Sequence, residues 1–186
     1  MKASTLIGGK STSFLRNEAD FYPTPSDCTK AVLSAFPFLY TRGTVWEPAC
    51  GDGAIARVIE GLNGTVIATD LHDRGYGTSG VDFLTTDSIE GFTSIVTNPP
   101  FFLAEDFIRT ASEYRVPFAM LLKVTYWNSK RRLKLFRETG PHAVCPLTWR
   151  PSFCKERGKS PTLDFIWTVW LDLPCTETQF VPLKHP

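Results

Sequence analysis

The segment from Thr44 to Gly61 constrains this chain most. Thr44-Val45-Trp46-Glu47 reads as a short buried strand, and Pro48-Ala49-Cys50-Gly51-Asp52-Gly53 as a tight turn. Residues 54–60 then carry apolar side chains at helical spacing until Gly61 closes the pattern. Strand, glycine turn and helix in that order open a crossover unit. Such units stack strands side by side in one direction and lay their helices on the sheet faces.

The pattern continues along the chain. Residues 65–69 read as a second buried strand ending at Asp70, followed by a glycine-rich loop over 71–80 and a short strand or turn presenting Val81-Asp82-Phe83. Ile95 and Val96 mark another strand, residues 104–114 a helix, and 117–124 a further strand. Upstream, Ser26 and Asp27 can cap a helix carrying Ala31, Val32, Leu33 and Phe36 until Pro37 intervenes. Downstream, residues 128–138 form a basic helix candidate with Leu133, Leu135 and Phe136 inward and Lys130, Arg131, Arg132, Lys134 and Arg137 outward. Residues 142–149 and 163–171 read as two antiparallel strands joined by a basic loop over 150–162. The expected architecture is a mostly parallel, seven-stranded α/β sheet with helices on both faces and a C-terminal antiparallel hairpin. Residues 1–19 lack a sustained apolar period and are expected to form a polar arm, 20–175 a single domain, and 176–186 a tail.

Composition narrows the class. With 186 residues, 42% of them hydrophobic and 13% aromatic, the chain can bury a core without disulfides or metal. Twenty Lys and Arg against 19 Asp and Glu give no general polyanion signal, so any nucleic acid must be met by a local patch. The five cysteines, Cys28, Cys50, Cys145, Cys154 and Cys175, form no metal-ligand or disulfide pattern, which fits reduced thiols in a cytoplasmic protein. No stretch has the length of a membrane span, and the first residues carry no signal-peptide core.

Four residues carry the sharpest chemistry. Asn98-Pro99-Pro100-Phe101 follows an apolar strand, and the two prolines cannot donate backbone hydrogen bonds. That leaves an amide oxygen and a carbonyl to grip an exocyclic amino group, with Phe101 as a flat face beside it for an extruded base. Read alone, the tetrapeptide serves equally as a turn that ends a strand. The glycine turn lacks the GxGxxG spacing, and the acidic Glu47 would repel a pyrophosphate while favouring an amino group or a sulfonium. Asp70 lies 70 − 47 = 23 residues after Glu47, at a strand end where a carboxylate can accept both ribose hydroxyls, or else cap the loop backbone. Asp82 offers an acceptor for an adenine amine and Phe83 a ring for its face, ordinary core packing being the other reading of Phe83.

In this order the motifs resemble those of the class I S-adenosylmethionine-dependent DNA adenine-N6 methyltransferases, in particular the compact phage and prophage type. The resemblance covers residues 20 to about 170, from Asp20-Phe21-Tyr22-Pro23-Thr24-Pro25 through Asn98 to Phe101. It implies a Rossmann-like class I methyltransferase fold, S-adenosylmethionine as cofactor, and methyl transfer to the N6 amino group of adenine in DNA. It implies cofactor contacts from Tyr22, Thr24, Pro25, Glu47, Pro48, Ala49, Cys50, Gly51, Asp70, Leu71, Asp82, Phe83 and Asn98. Asn98, Pro99, Pro100 and Phe101 would form the catalytic corner, Thr24 would hold the methionine carboxylate, and Tyr22 or Trp127 would help stack the flipped base. Trp127, Arg150, Lys155, Arg157 and Lys159 are the expected nucleic-acid contacts, with no metal, no membrane, and a monomer or dimer left open.

Larger family members carry a sizeable target-recognition region, whereas only residues 150–162 and the arm remain for that task here. An RNA adenine methyltransferase would use the same tetrapeptide. A protein glutamine methyltransferase would carry Tyr in place of Phe101, and a non-catalytic nucleic-acid-binding module would keep the fold alone. A dehydrogenase would need the glycine fingerprint that is missing.

Overall fold

The structure is a computed structural model that describes residues 22–153 and 164–186. The polar arm expected over 1–19, and Lys155, Arg157 and Lys159 of the basic loop, lie outside these described residues.

Two short helices lead in, α1 (Ser26–Ala35) and α2 (Phe38–Thr41). Then come β1 (Thr44–Glu47), α3 (Ala56–Gly61), β2 (Thr65–Asp70), β3 (Thr78–Ser79), β4 (Ser94–Thr97), α4 (Ala104–Glu113) and β5 (Phe118–Lys123). A 3-10 turn (Val124–Trp127) precedes α5 (Arg132–Thr139), β6 (Ala143–Pro146), β7 (Phe165–Trp170) and β8 (Gln179–Phe180). The sheet order is β3-β2-β1-β4-β5-β7-β6-β8. Every neighbouring pair is parallel except β5 with β7 and β7 with β6, so β7 alone runs against the rest.

Strand parity sorts the core into two layers, because successive strand residues face opposite sides of a sheet. Val45, Val96, Ala119, Leu121, Trp167 and Val169 face α1, α2 and α3. Trp46, Ile95, Phe118, Met120, Leu122, Ile166 and Trp170 face α4 and α5. Both faces are thus apolar, as a parallel sheet between helix layers requires. Buried indole N–H groups all find acceptors: Trp46 donates to Thr69 Oγ1 at 2.9 Å, Trp167 to the Cys28 carbonyl at 3.0 Å, and Trp170 to Thr139 Oγ1 at 3.3 Å.

The expected architecture holds, with three corrections. The sheet has eight strands rather than seven, because residues assigned to a tail pair with β6. Gln179 N donates to the His142 carbonyl at 2.8 Å and Leu183 N to that of Pro146 at 2.9 Å, with Leu183 buried. The basic helix starts at Arg132 rather than residue 128, and Leu133 faces solvent at 47% exposure while Leu135 is fully buried. Two positions along a helix are about 200° apart, so those leucines cannot share one face. Trp127, expected beside a base, is partly buried and has core partners. It packs edge-on against Phe136 at 5.1 Å and near Trp170 at 6.2 Å, and Nε1 donates to Thr168 Oγ1 at 3.3 Å.

Leu121, at the centre of β5 and 0% exposed, tests this core. Leu121→Ala is expected to cost about 2–5 kcal/mol, read as a lower denaturant midpoint at unchanged slope.

Candidate functional site

The carboxyl ends of β1, β2 and β4 converge on one cleft, the position at which parallel α/β sheets present ligands. Tyr22, Thr24, Glu47, Pro48, Ala49, Cys50, Asp70, Leu71, Asp82, Phe83, Asn98, Pro99 and Pro100 line it, as the sequence leads one to expect. Pro25, Gly51 and Phe101 adjoin these residues in sequence and are not themselves part of the lining. The Pro25 carbonyl accepts from Cys28 N at 3.0 Å at the start of α1, and Gly51 N donates into the site wall. Asp52, His72, Arg74, Phe102 and Leu103 line the cleft without having been singled out by the sequence pattern.

Two carboxylates build the donor half. Glu47 Oε2 accepts from Ala56 N at 2.8 Å and so fixes the first residue of α3 against the end of β1. Asp70 Oδ2 accepts from Gly51 N at 2.8 Å and Oδ1 from His72 N at 2.8 Å, which locks the glycine turn to the end of β2. A carboxylate has about four acceptor positions, so Asp70 keeps capacity for ligand hydroxyls after both backbone bonds are made. Asp82 Oδ1 accepts from Leu84 N at 3.0 Å in the same way. Phe83 is buried, 5.0 Å from Trp46 and 4.8 Å from Phe107 by ring centroids, so it is core that reaches the cleft wall.

The loop after β2 closes over the turn. A Cβ at Gly53, whose φ is +81°, would stand 2.5 Å from the Tyr76 ring, so a glycine is needed there twice over. Tyr76 donates to Glu60 Oε1 at 2.8 Å and takes the Arg57 guanidinium on its ring at 4.6 Å. Cys50 Sγ lies 3.5 Å from the Tyr76 carbonyl, and burial first, then the nearby Glu47 and Asp70, pushes its pKa up to about 12. Cys50 is therefore a neutral wall residue and not a thiolate nucleophile.

The acceptor half centres on Asn98. Its Nδ2 donates to the Tyr22 carbonyl at 3.2 Å and to Thr24 Oγ1 at 3.0 Å. A backbone carbonyl can only accept, so the amide is held in one orientation and Oδ1 points the other way. That oxygen is buried and has no hydrogen-bond partner. Buried acceptors are ordinarily satisfied, so this oxygen, on a residue that lines the cleft, is open to a ligand donor. Thr24 thus serves to orient Asn98, a role the sequence did not reveal.

Beyond Asn98 runs a row of rings. Phe101 lies nearly parallel to Tyr22, 6.0 Å apart and 21° between planes, and 5.7 Å from Phe165, which in turn is 4.2 Å from Phe153. Lys123, the last residue of β5, places Nζ 4.4 Å from the Phe101 ring centre. Arg150, an expected nucleic-acid contact, is paired with Asp164 at 3.1 Å on the surface. Among the described residues no cluster of His, Cys, Asp and Glu is arranged to hold a metal, and no helix is long and apolar enough to cross a membrane.

Electrostatically the cleft suits a cation bearing hydroxyls. Asp52, Asp70 and Asp82 line it against Arg74, the single arginine of the lining among the described residues. Full burial, with Asp52, Asp70 and Glu60 nearby, raises the Glu47 pKa well above its ordinary value, so Glu47 serves the cleft as a hydrogen-bonding carboxyl. The unfolded chain releases the Glu47 proton near pH 4.3, whereas the folded protein keeps it to higher pH. Between those two values the folded state binds more protons, so stability falls as pH rises through that window. Glu47→Gln keeps an acceptor for Ala56 N and removes the titration. Its melting temperature without ligand is expected to exceed that of the wild type by a margin that grows from pH 5 to pH 8, and a constant margin would return Glu47 to an ordinary carboxylate.

Neither a protein-family model nor a curated protein matches the sequence. Solved structures do match the fold. A Listeria monocytogenes protein assigned as a class I S-adenosylmethionine-dependent methyltransferase superposes with a TM-score of 0.63 at 13% identity over 86% of this chain and 65% of its own. The methyltransferase subunit of a type I restriction-modification system from Streptococcus thermophilus gives 0.58 at 13% identity, over 88% of this chain and 48% of its own. The 23S rRNA methyltransferase ErmE gives 0.55 at 14% identity, over 84% and 72%. The chain thus spans about two thirds of the Listeria protein and about half of the restriction-modification subunit. Identity this low establishes architecture alone, and that architecture is the Rossmann-like class I methyltransferase fold.

Proposed function

We propose that this chain binds S-adenosylmethionine and catalyses methyl transfer to the N6 amino group of adenine in DNA. The observation that carries the reading is Asn98 Oδ1, a buried acceptor held at the end of β4 with no donor of its own. The similar structures support the cofactor class, because the Listeria protein is assigned as S-adenosylmethionine-dependent and the other two are methyltransferases.

The residues fit the cofactor chemically. Glu47, Asp70 and Asp82 supply acceptors for an ammonium, ribose hydroxyls and an adenine amine respectively, and exposed Leu71 offers an apolar face. When bound, the cofactor supplies an electrophilic methyl group on a sulfonium.

The chain's own work is on the acceptor. An adenine amine is a poor nucleophile because its lone pair is delocalised into the ring. Asn98 Oδ1 and the Pro99 carbonyl accept its two N–H bonds, which holds the amine and favours the geometry in which its lone pair leaves the ring plane. Fixed acceptors cost no reorganisation at the moment of reaction, and no strong base is needed. Phe101, with Tyr22 beside it, stacks the extruded base. Placing the amine in line with the methyl group supplies much of the acceleration through proximity. In this scheme Thr24 holds the Asn98 amide rather than the cofactor carboxylate alone.

Transfer of a labelled methyl group from S-adenosylmethionine to unmethylated duplex DNA, structured RNA and protein tests the proposal. Digestion of the DNA product is expected to yield N6-methyladenine. Label in RNA alone would move the activity to that polymer, label in protein would reject a nucleobase acceptor, and cofactor binding without any transfer would leave a non-catalytic module. Asn98→Ala is expected to lower turnover by roughly 100-fold or more at unchanged cofactor affinity. Equal loss of both would remove Asn98 from the acceptor side.

A further inference from the structure

We propose that Lys123 is the contact for the backbone phosphate of the acceptor nucleotide. The inference rests on the reading of Asn98 and Phe101 as the base-holding corner and adds to it the group that anchors the strand.

Lys123 ends β5 on the same sheet edge as Asn98, and its Nζ lies 4.4 Å from the centre of the Phe101 ring. Among the described residues no carboxylate reaches it. Arg131, Lys134 and Arg150 pair with Glu105, Glu138 and Asp164. Arg132, like Lys123, sits on a ring, but that ring is Tyr126 and its guanidinium donates to the Tyr126 carbonyl, so of these cations Lys123 is the one placed on Phe101. An ammonium beside a ring is attracted only by the quadrupole, and it keeps its capacity to donate to an anion.

The position selects the anion. A base stacked on Phe101 with its amine on Asn98 keeps its sugar and phosphate within one nucleotide of that ring. Of the neighbours given for the Phe101 ring among the described residues, Tyr22, Phe165 and Lys123, only the lysine carries a positive charge. Lys is a compact point charge with three rotatable donors, which suits a phosphate better than the fixed geometry of a base edge. Phosphate contacts set register and carry no sequence information, so this contact positions the strand without reading it. The apolar stem of Lys123 keeps the ring in place at the same time.

The test compares full-length wild type, Lys123→Met and Lys123→Arg, each with S-adenosylhomocysteine, binding an oligonucleotide with one adenine across a salt series. Lys123→Met keeps an apolar stem against Phe101 and loses the charge. The slope of log affinity against log salt is expected to fall by about 0.7–0.9 for the Met variant and to be restored by Arg. Affinity for S-adenosylhomocysteine alone should not change. A neutral methylphosphonate beside the target adenine should weaken the wild type to the level of the Met variant and leave the Met variant unaffected. A wild type that binds nucleic acid while Lys123→Met keeps its slope overturns the inference alone. Sensitivity to 7-deazaadenine instead of methylphosphonate overturns it in favour of base-edge contact. A wild type that binds no nucleic acid overturns the acceptor reading and this inference together.

Discussion

The site depends on two strand-end carboxylates that hold a turn built from glycine. Asp70 fixes Gly51 and His72, and Glu47 fixes Ala56, so the backbone between β1 and α3 is tied to β2 on one side and to its own strand on the other. Without those bonds the turn would have backbone donors to satisfy in a largely buried position, at a cost of about 1–3 kcal/mol each. The same oxygens face the cleft. One pair of side chains thus sets the shape of that wall and the acceptors it offers together.

The acceptor wall is assembled differently, across long sequence separations. The amide of Asn98 is oriented by Tyr22 and Thr24, more than seventy residues earlier, and Phe101 is flanked by Tyr22, Lys123 and Phe165. Short polar contacts fix direction there, while rings fix spacing. This division matches what the proposed chemistry demands, since hydrogen-bond acceptors must be aimed while a stacked base needs only a flat neighbour at the right height.

The sequence was most legible where a local pattern and a burial demand agreed. β1 appears at Thr44–Glu47 as its apolar run indicates, and the order of strands and helices follows from their periods. Most of the expected cleft lining is where the motifs put it. What escaped has a common cause, which is that partners distant in sequence leave no local signal. β8 is two residues long and is defined by its pairing with β6. Thr24 acts through Asn98, Lys123 through Phe101, and Tyr76 through the missing Cβ of Gly53. Leu133 has a different cause, the phase of about 200° that puts it opposite Leu135 on the helix, and the packing of Trp127 on Phe136 again joins residues with no shared local pattern.

The bond from Asn98 Nδ2 to residue 22 ends on a main-chain oxygen rather than on a side chain. Every amino acid supplies that oxygen, so the aim of Asn98 is insulated from substitution at position 22. The Tyr22 ring can therefore change identity, and with it the surface beside Phe101, while the Asn98 amide keeps its direction. A cleft wired in this way separates the side chain that shapes its wall from the contact that aims its polar group, and lets evolution or design vary the first without rebuilding the second.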